Sequence, residues 1–461
     1  MAEAAVTQAV NDFLNEDVLG QASATYRVVP NPSWSRDLTV REALDRAAVK
    51  IPRKFAQQPR VAVAIRLTLG NSYQELGEYT KAQEHLEAAL AQARQSLGDS
   101  DPETYAVVSF LAMLDWHQGQ DAKAEALFQE ALEGQRRLLG DGHPATLLTM
   151  KELAYFYGRQ GRYAQAEALS NQALEGCRKY LGDDHMHTRS ALYGRAAIYV
   201  YQGQYAQAEP LFKQLLERWP EDTLGSHPWY FSLLYSLGNI YYQQDRYAEA
   251  EPLLTQALEG VRKALGNDDG CTLVAVNDLA LLYRAQDRLD KEEALLRELL
   301  RHHHDKESSA PGVRIPLLAT RLDPNWLATT DVPARLGENL LKQWKYAEAE
   351  PLLHECLAVG EQKPTADPLG RSQTQILLGA CLLGQKKYEE AEPLLRQGYE
   401  GLTTPQEARD VGPTAFAQRR RVEALGWLVQ LYEQRGKPDE AGKWRKELEA
   451  VRRPVAPAKP K

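Results

Sequence analysis

Apolar and small residues recur at helical spacing along most of the chain, and the pattern itself then repeats as a block. Leu69, Tyr73, Ala82, Leu86 and Ala89 lie on both sides of Gly77, which is the spacing of two amphipathic helices joined by a tight turn. The stretch Tyr247-Ala248-Glu249-Ala250-Glu251-Pro252-Leu253-Leu254 returns unchanged from Tyr346 to Leu353, and in near copy from Tyr388 to Leu395. Backwards from Tyr247 in steps of 42 residues, the equivalent positions are Tyr205, Tyr163, Asp121 and Tyr79. Self-similarity at a period of this size marks an array of stacked supersecondary units. The predicted fold is therefore all-α, a right-handed α-solenoid of about nine helix-turn-helix units, with tyrosine-equivalent positions 79, 121, 163, 205, 247, 289, 346, 388 and 438.

Punctuation within the period supports the same reading. Gly77, Gly119, Gly161 and Gly203 each stand two residues before the tyrosine position, where a helix that ends in a left-handed residue wants glycine. Asp245 and Asp287 take that place in later copies and tolerate the conformation less well. Ala82, Ala124, Ala166, Ala208, Ala250, Ala349, Ala391 and Ala441 let one helix approach its partner, and Leu86, Phe128, Phe212, Leu254, Leu296, Leu353 and Leu395 fill the space between them. Second helices close at Leu-Gly steps such as Leu97-Gly98 and Leu265-Gly266. The next helix opens at Pro102, Pro144 or Pro228, because proline suits a first turn whose N–H would be unpaired.

The alternation of Leu-Gly-x-x-Tyr, Gly-x-Tyr-x-x-Ala-Glu and a later Ala-Leu resembles the tetratricopeptide repeat, and the long period with LGDGHPAT-like linkers resembles the variant of kinesin light chains and many bacterial proteins. The segments VNDFLNEDVLGQA and DLTVREALDRAAVKIPRKFAQQPRVAVAIRLTLGNSYQELGEY, with LLGACLLGQKKYEEAEPLLRQGYEGL further on, are similar to the region that follows the kinase domain in planctomycete-type bacterial serine/threonine kinases. The sequence has no Gly-rich phosphate loop, no VAIK-like lysine strand and no HRD or DFG triplet, the parts that phosphoryl transfer requires. The resemblance therefore implies an interaction array without kinase residues. Its partners would be a protein or peptide, with a separately encoded serine/threonine kinase or its substrate among the candidates. A regulatory or sensor subunit of such a kinase is the alternative to a plain adaptor.

The expected organisation is an N-terminal helical cap over 1–58, six repeats over 59–304, an insertion over 305–332, three repeats with a capping helix over 333–452, and a Pro/Lys tail over 453–461. Val6, Val10, Phe13, Leu14 and Val18 form a helical stripe in the first segment, suited to covering the end of an array. The insertion shows as a gap of 57 residues between tyrosine positions 289 and 346, and it is expected to divide the array into a long lobe and a shorter one.

Composition then narrows the function. With 43% apolar and 26% charged residues among 461, the chain can build a core and lies outside the disordered range. A net charge of −8 gives no footprint for nucleic acid, whose binding rests on neutralising phosphates. No run approaches the roughly 18 apolar residues of a membrane helix. No basic leader opens the chain, so a cytoplasmic protein is expected. Cys177, Cys271, Cys356 and Cys381 are dispersed and read as packed thiols. His302, His303 and His304 are adjacent, point in different directions on a helix and read as no metal site. His143, His185 and His227 recur in the inter-repeat turn as structural residues, and Arg419, Arg420 and Arg421 read as a solvated basic face.

No catalytic constellation emerges, no cofactor is implied, and the chain reads as non-enzymatic. Function then falls to the side of the array lined by the first helix of each pair, where curvature leaves an extended groove for a peptide. Asn71, Asn239 and Asn277 are assigned to that side as amides able to hold a peptide backbone. Trp116, Lys151, Tyr193, Tyr235 and Tyr242 are assigned there as sources of stacking, apolar contact and charge. The register of Asn71 and Asn239 holds Met113, Tyr155, Ala197 and Leu281 elsewhere, so the asparagines do not form a continuous ladder. Oligomeric state is left open by the sequence.

Overall fold

A computed structural model describes residues 2–18, 39–219, 228–304, 331–362, 368–402 and 415–452. Every regular element among them is helical. The bulk of the insertion, the Pro/Lys tail and His227 lie outside the described residues.

All nine predicted pairs are present. They are α4 (Pro59–Glu75) with α5 (Tyr79–Ser96), α6 (Pro102–His117) with α7 (Asp121–Leu139), and α8 (Pro144–Arg159) with α9 (Tyr163–Leu181). Next come α10 (Met186–Tyr201) with α11 (Tyr205–Glu217), α12 (Pro228–Gln243) with α13 (Tyr247–Leu265), and α14 (Gly270–Ala285) with α15 (Leu289–His304). The last three are α16 (Asp331–Lys342) with α17 (Tyr346–Gln362), α18 (Pro368–Gly384) with α19 (Tyr388–Gly401), and α20 (Ala415–Gln434) with α21 (Pro438–Arg452). Ahead of them stand α1 (Ala2–Phe13), a π-helical turn over Leu14–Val18, α2 (Val40–Ala48) and α3 (Ile51–Lys54). The described residues fall into two compact units, one up to Thr272 and one from Leu273 onward, so the division lies within the sixth pair.

The turn inside each pair follows one rule. The residue two before the tyrosine position has positive φ in all nine pairs: Gly77, Gly119, Gly161, Gly203, Asp245, Asp287, Trp344, Lys386 and Gly436. The alanine three residues into each second helix is buried in eight pairs, and the first helix meets it with an equally small surface. A Cβ on Gly238 would come within 2.8 Å of Leu254, and one on Gly379 within 2.7 Å of Leu395, so these glycines are required by close helix approach. In the sixth pair Glu292 replaces the alanine, is buried, and accepts a 2.8 Å hydrogen bond from Asn339 Nδ2 of the next pair.

The glutamate that ends the Tyr-Ala-x-Ala-Glu motif joins one pair to the next. Glu125 accepts from Arg162 at 2.7 Å and from the Tyr157 hydroxyl at 3.1 Å, with the Arg162 guanidinium 4.2 Å above the Tyr157 ring. Glu209 does the same with Arg246 at 2.8 Å and Tyr241 at 3.2 Å. Glu350 accepts from Lys387 at 2.8 Å and Gln385 at 2.7 Å. The repeated carboxylate therefore fixes register between pairs, and charge-assisted bonds of this kind are stronger than neutral ones. Hydroxyls of Thr104, Thr188 and Thr272 donate to the carbonyls of Gly98, Gly182 and Gly266 at 2.6–2.8 Å. His143 and His185 cap the helices that follow, each accepting an N–H through Nδ1.

At the start of the chain Phe13 packs edge-on against Phe55 at 6.0 Å, and Phe13 and Val18 join the core of the first pair. Asp17 accepts from Lys50 and Lys54 at 2.9 and 2.6 Å. Thr39 and Glu42 form a reciprocal capping box at α2, which satisfies two of the donors that a helix start leaves unpaired.

Candidate functional site on the first helices

Each first helix in unit 1 buries most of its surface but leaves one stripe partly exposed. On α6 the stripe is Ala106, Phe110, Met113 and His117, with Trp116 partly exposed at its edge; on α8 it is Leu148, Glu152, Tyr155 and Arg159; on α10 it includes Ser190, Gly194 and Tyr201. The spacing of three and four residues is that of one helix face. Successive first helices pack on one another from α4 to α10, so the stripes lie side by side.

Three rings cross that face. Trp116 meets Tyr155 edge-on with centroids 5.6 Å apart, Tyr155 meets Tyr201 at 6.0 Å, and the Tyr155 and Tyr201 hydroxyls are 3.0 Å apart. The Arg159 guanidinium stands 5.9 Å from the Trp116 ring, within the range of a cation–π contact. Burial, followed by the neighbouring Tyr201 and Tyr193, holds the Tyr155 phenol well above the ordinary tyrosine value. It therefore stays neutral and acts only as a hydrogen-bonding group. The row is an aromatic surface with a cation at one side, suited to stacking and apolar contact, with no nucleophile–base pair.

The residues assigned from the sequence divide sharply. Trp116 is in the row. Asn71 and Asn239 are half-buried in the same stripe register, and Asn239 Nδ2 donates weakly to the Tyr235 carbonyl at 3.4 Å. Lys151 is half-buried and already paired, with Glu152 at 2.9 Å and the Ser190 hydroxyl at 2.9 Å. Tyr242 is half-buried and packs on Tyr247 at 5.9 Å. Tyr193 and Tyr235 are corrections: both are buried, and Tyr193 packs edge-on against Phe212 while its hydroxyl meets that of Ser232 at 3.1 Å. They are core residues and present no ring to a ligand.

In unit 2 the same face is ionic. Asn277 Oδ1 accepts from Arg335 Nη1 at 2.6 Å, so this amide is engaged within the chain. Glu338 stands eight residues before Tyr346, the register of Asn71 and Tyr155, and its Oε2 accepts from Arg284 at 2.7 Å and Arg420 at 2.6 Å. Burial alone would raise the Glu338 carboxyl, but Arg420 and Arg284 outweigh it and hold the group below the usual glutamate range. The solvated basic face expected at Arg419–Arg421 is thereby corrected at Arg420, while Arg419 is exposed. Arg420 is buried with its guanidinium on two carboxylates, because α20 is long enough to bring it over pairs already in place.

Sequence reasoning missed Tyr201, Arg159, Arg284, Arg335, Glu338 and Arg420 as members of these surfaces. Register counting alone would have found Tyr155 and Glu338. Nothing in the sequence signals Arg420, whose partner is 82 residues away. Among the described residues no group of three or more His, Cys, Asp or Glu side chains is placed to hold a metal ion, and no helix is long and apolar enough to cross a membrane.

An all-helical array of hairpins, each with a left-handed turn residue, in which small–large contacts and carboxylate joints between pairs recur, defines a class of repeat protein. The chain belongs to the tetratricopeptide repeat family: the family model matches residues 103–155, 146–221, 229–303 and 326–404, and a second model of the same description matches 63–103. No curated protein matches the chain. Among solved structures, it is similar to a signal transduction ATPase with numerous domains that has a tetratricopeptide repeat sensor, from Pyrococcus horikoshii, at 15% identity and a TM-score of 0.56 over 80% of this chain and 53% of that one. It is also similar to a putative kinesin light chain from Podosopora anserina, at 25% identity and a TM-score of 0.37 over 46% and 96%. A third is BtubC (BKLC) from P. vanneervenii, at 20% identity and a TM-score of 0.41 over 48% and 89%. Proteins of this repeat class are in general interaction scaffolds.

Proposed function

We propose that the chain is a non-enzymatic adaptor that holds an extended peptide segment of a partner protein along the first helices of pairs two to four. The observation that carries this reading is the row Trp116–Tyr155–Tyr201, with Arg159 beside it, on the one partly exposed stripe of α6, α8 and α10. Large rings that lose little conformational freedom on binding are the usual anchors of protein recognition. The row crosses successive helices instead of following one, which suits a ligand that touches each pair in turn. Met113 and Leu148 supply apolar surface beside the rings, and Asn71 lies in the same register one pair earlier.

Selection of peptides from a random display library on the wild-type chain tests the proposal, with Trp116→Ala and Arg159→Ala compared at equal thermal stability. Selected peptides should bind Trp116→Ala at least about tenfold more weakly, the loss of one aromatic anchor. Arg159→Ala should weaken binding less and reduce its dependence on salt. Peptides that bind all three chains equally would overturn the assignment.

A further inference from the structure

At the seventh pair the first-helix face is closed by a residue from two pairs further along. Glu338 on α16 is 4% exposed and so is Arg420 on α20. Arg284, the other cation on Glu338, comes from the pair immediately before α16, as stacking of neighbours provides. Arg420 comes from the ninth pair and joins the seventh, although the first helix of the eighth, α18, packs against both. The second nitrogen of Arg420 donates to Glu423 at 2.6 Å on its own helix, which aims the guanidinium at Glu338.

We propose that Arg420 is an internal latch that binds the ninth pair to the seventh across the eighth, so that α16, α18 and α20 open and close together and the first-helix face at the seventh pair stays occupied by the chain's own guanidinium. In a linear array each unit is coupled only to its neighbours. The ion pair adds a coupling that skips one. Because both groups are desolvated, separating them strands two charges, whereas removing both strands neither. A ligand for this face has first to displace Arg420.

The test is a double-mutant cycle on the full chain, read by hydrogen exchange in 331–342 and 415–434. Glu338→Gln and Arg420→Met should each speed exchange in both helices by at least tenfold, and the double variant should be no faster than the worse single one. Leu428→Ala removes a buried side chain of α20 away from the ion pair, and combined with Glu338→Gln its effect should multiply. If Arg420→Met does not fold, Arg420→Lys keeps the charge but loses the fork that serves two carboxylates and should give a smaller acceleration in the same two helices. Effects of Glu338→Gln and the Arg420 variant that multiply independently, or acceleration confined to 415–434, would overturn the latch.

Discussion

The first-helix face carries a row of rings at pairs two to four of unit 1 and a buried ion cluster at the seventh pair of unit 2. Eight residues before the tyrosine position, unit 1 has Asn71, Met113, Tyr155 and Asn239, all partly exposed, and Ala197, which is buried. Unit 2 has Leu281, Glu338, Ala380 and Gln430 there, and of these Glu338 is buried under two guanidinium groups. The backbone at the two places is the same hairpin, so the difference is not one of fold. It arises from what each side chain must satisfy: a ring can lie half in water, whereas a desolvated carboxylate must be paired. The rings are thus left available for contact, while the Glu338 position is consumed by the chain itself.

The strongest way to break the comparison is to unpair the ionic face. Glu338→Ala leaves Arg284 without its carboxylate and Arg420 with Glu423 alone, and should cost about 3–5 kcal/mol, as removal of one member of a buried pair does. In chemical denaturation the transition of unit 2 should move while exchange protection in unit 1 is retained. Acid should act in the same direction. Because the folded pKa of Glu338 lies below its unfolded value, its contribution is fully present above the ordinary glutamate range and is lost as pH falls through the lower, folded value. Glu338→Gln should flatten that part of the acid unfolding curve. An unchanged curve would show that the pair does not stabilise unit 2.

Next in size is a change aimed at the shared hairpin. Leu254 is buried against Gly238, and Leu254→Ala should cost about 2–5 kcal/mol through lost transfer energy and a residual cavity. Loss of protection should centre on α12 and α13. Unchanged urea unfolding would refute the packing register. A smaller effect sharpens the aromatic side: Tyr155→Phe removes the hydroxyl that meets Tyr201 at 3.0 Å and should cost about 1 kcal/mol, the net value of one hydrogen bond, while leaving the ring row intact for ligand.

How far the sequence could be read follows from the range of each interaction. The turns were legible at Gly77, Gly119, Gly161 and Gly203 because the need for positive φ is local and glycine announces it. It was also legible at Asp245 and Asp287, and invisible at Trp344 and Lys386, where only the repeat frame reveals the conformation. Site residues were read less well. Lys151, Tyr193, Tyr235 and Asn277 share one register, twelve residues before the tyrosine position, at the border between the exposed stripe and the core. There the side chain decides: Lys151 and Asn277 stay half-buried and find polar partners, while the rings of Tyr193 and Tyr235 turn inward to gain apolar contact. Arg420 lay beyond such counting, since its place depends on how three intervening helices bring it to Glu338.

The smallest predicted effect contrasts the turns of the two units. Unit 1 places glycine at positive φ in its first four pairs and Asp245 in the fifth, whereas unit 2 carries Asp287, Trp344 and Lys386 before Gly436. Lys386 is exposed and holds φ of 64°, a conformation that brings Cβ against the backbone at a cost of about 1–2 kcal/mol. Lys386→Gly relieves that strain but makes the unfolded chain more flexible by roughly 0.5–1 kcal/mol. The net gain should be about 0.5–1 kcal/mol, seen as a raised midpoint for unit 2 alone. The reciprocal change in unit 1, Gly161→Ala, meets no atom within 4 Å, so its expected cost of about 1 kcal/mol reports backbone strain without a packing clash. If both substitutions left the midpoints unchanged, the non-glycine turns of unit 2 would not be strained, and the two units would differ only in the chemistry of their first-helix faces.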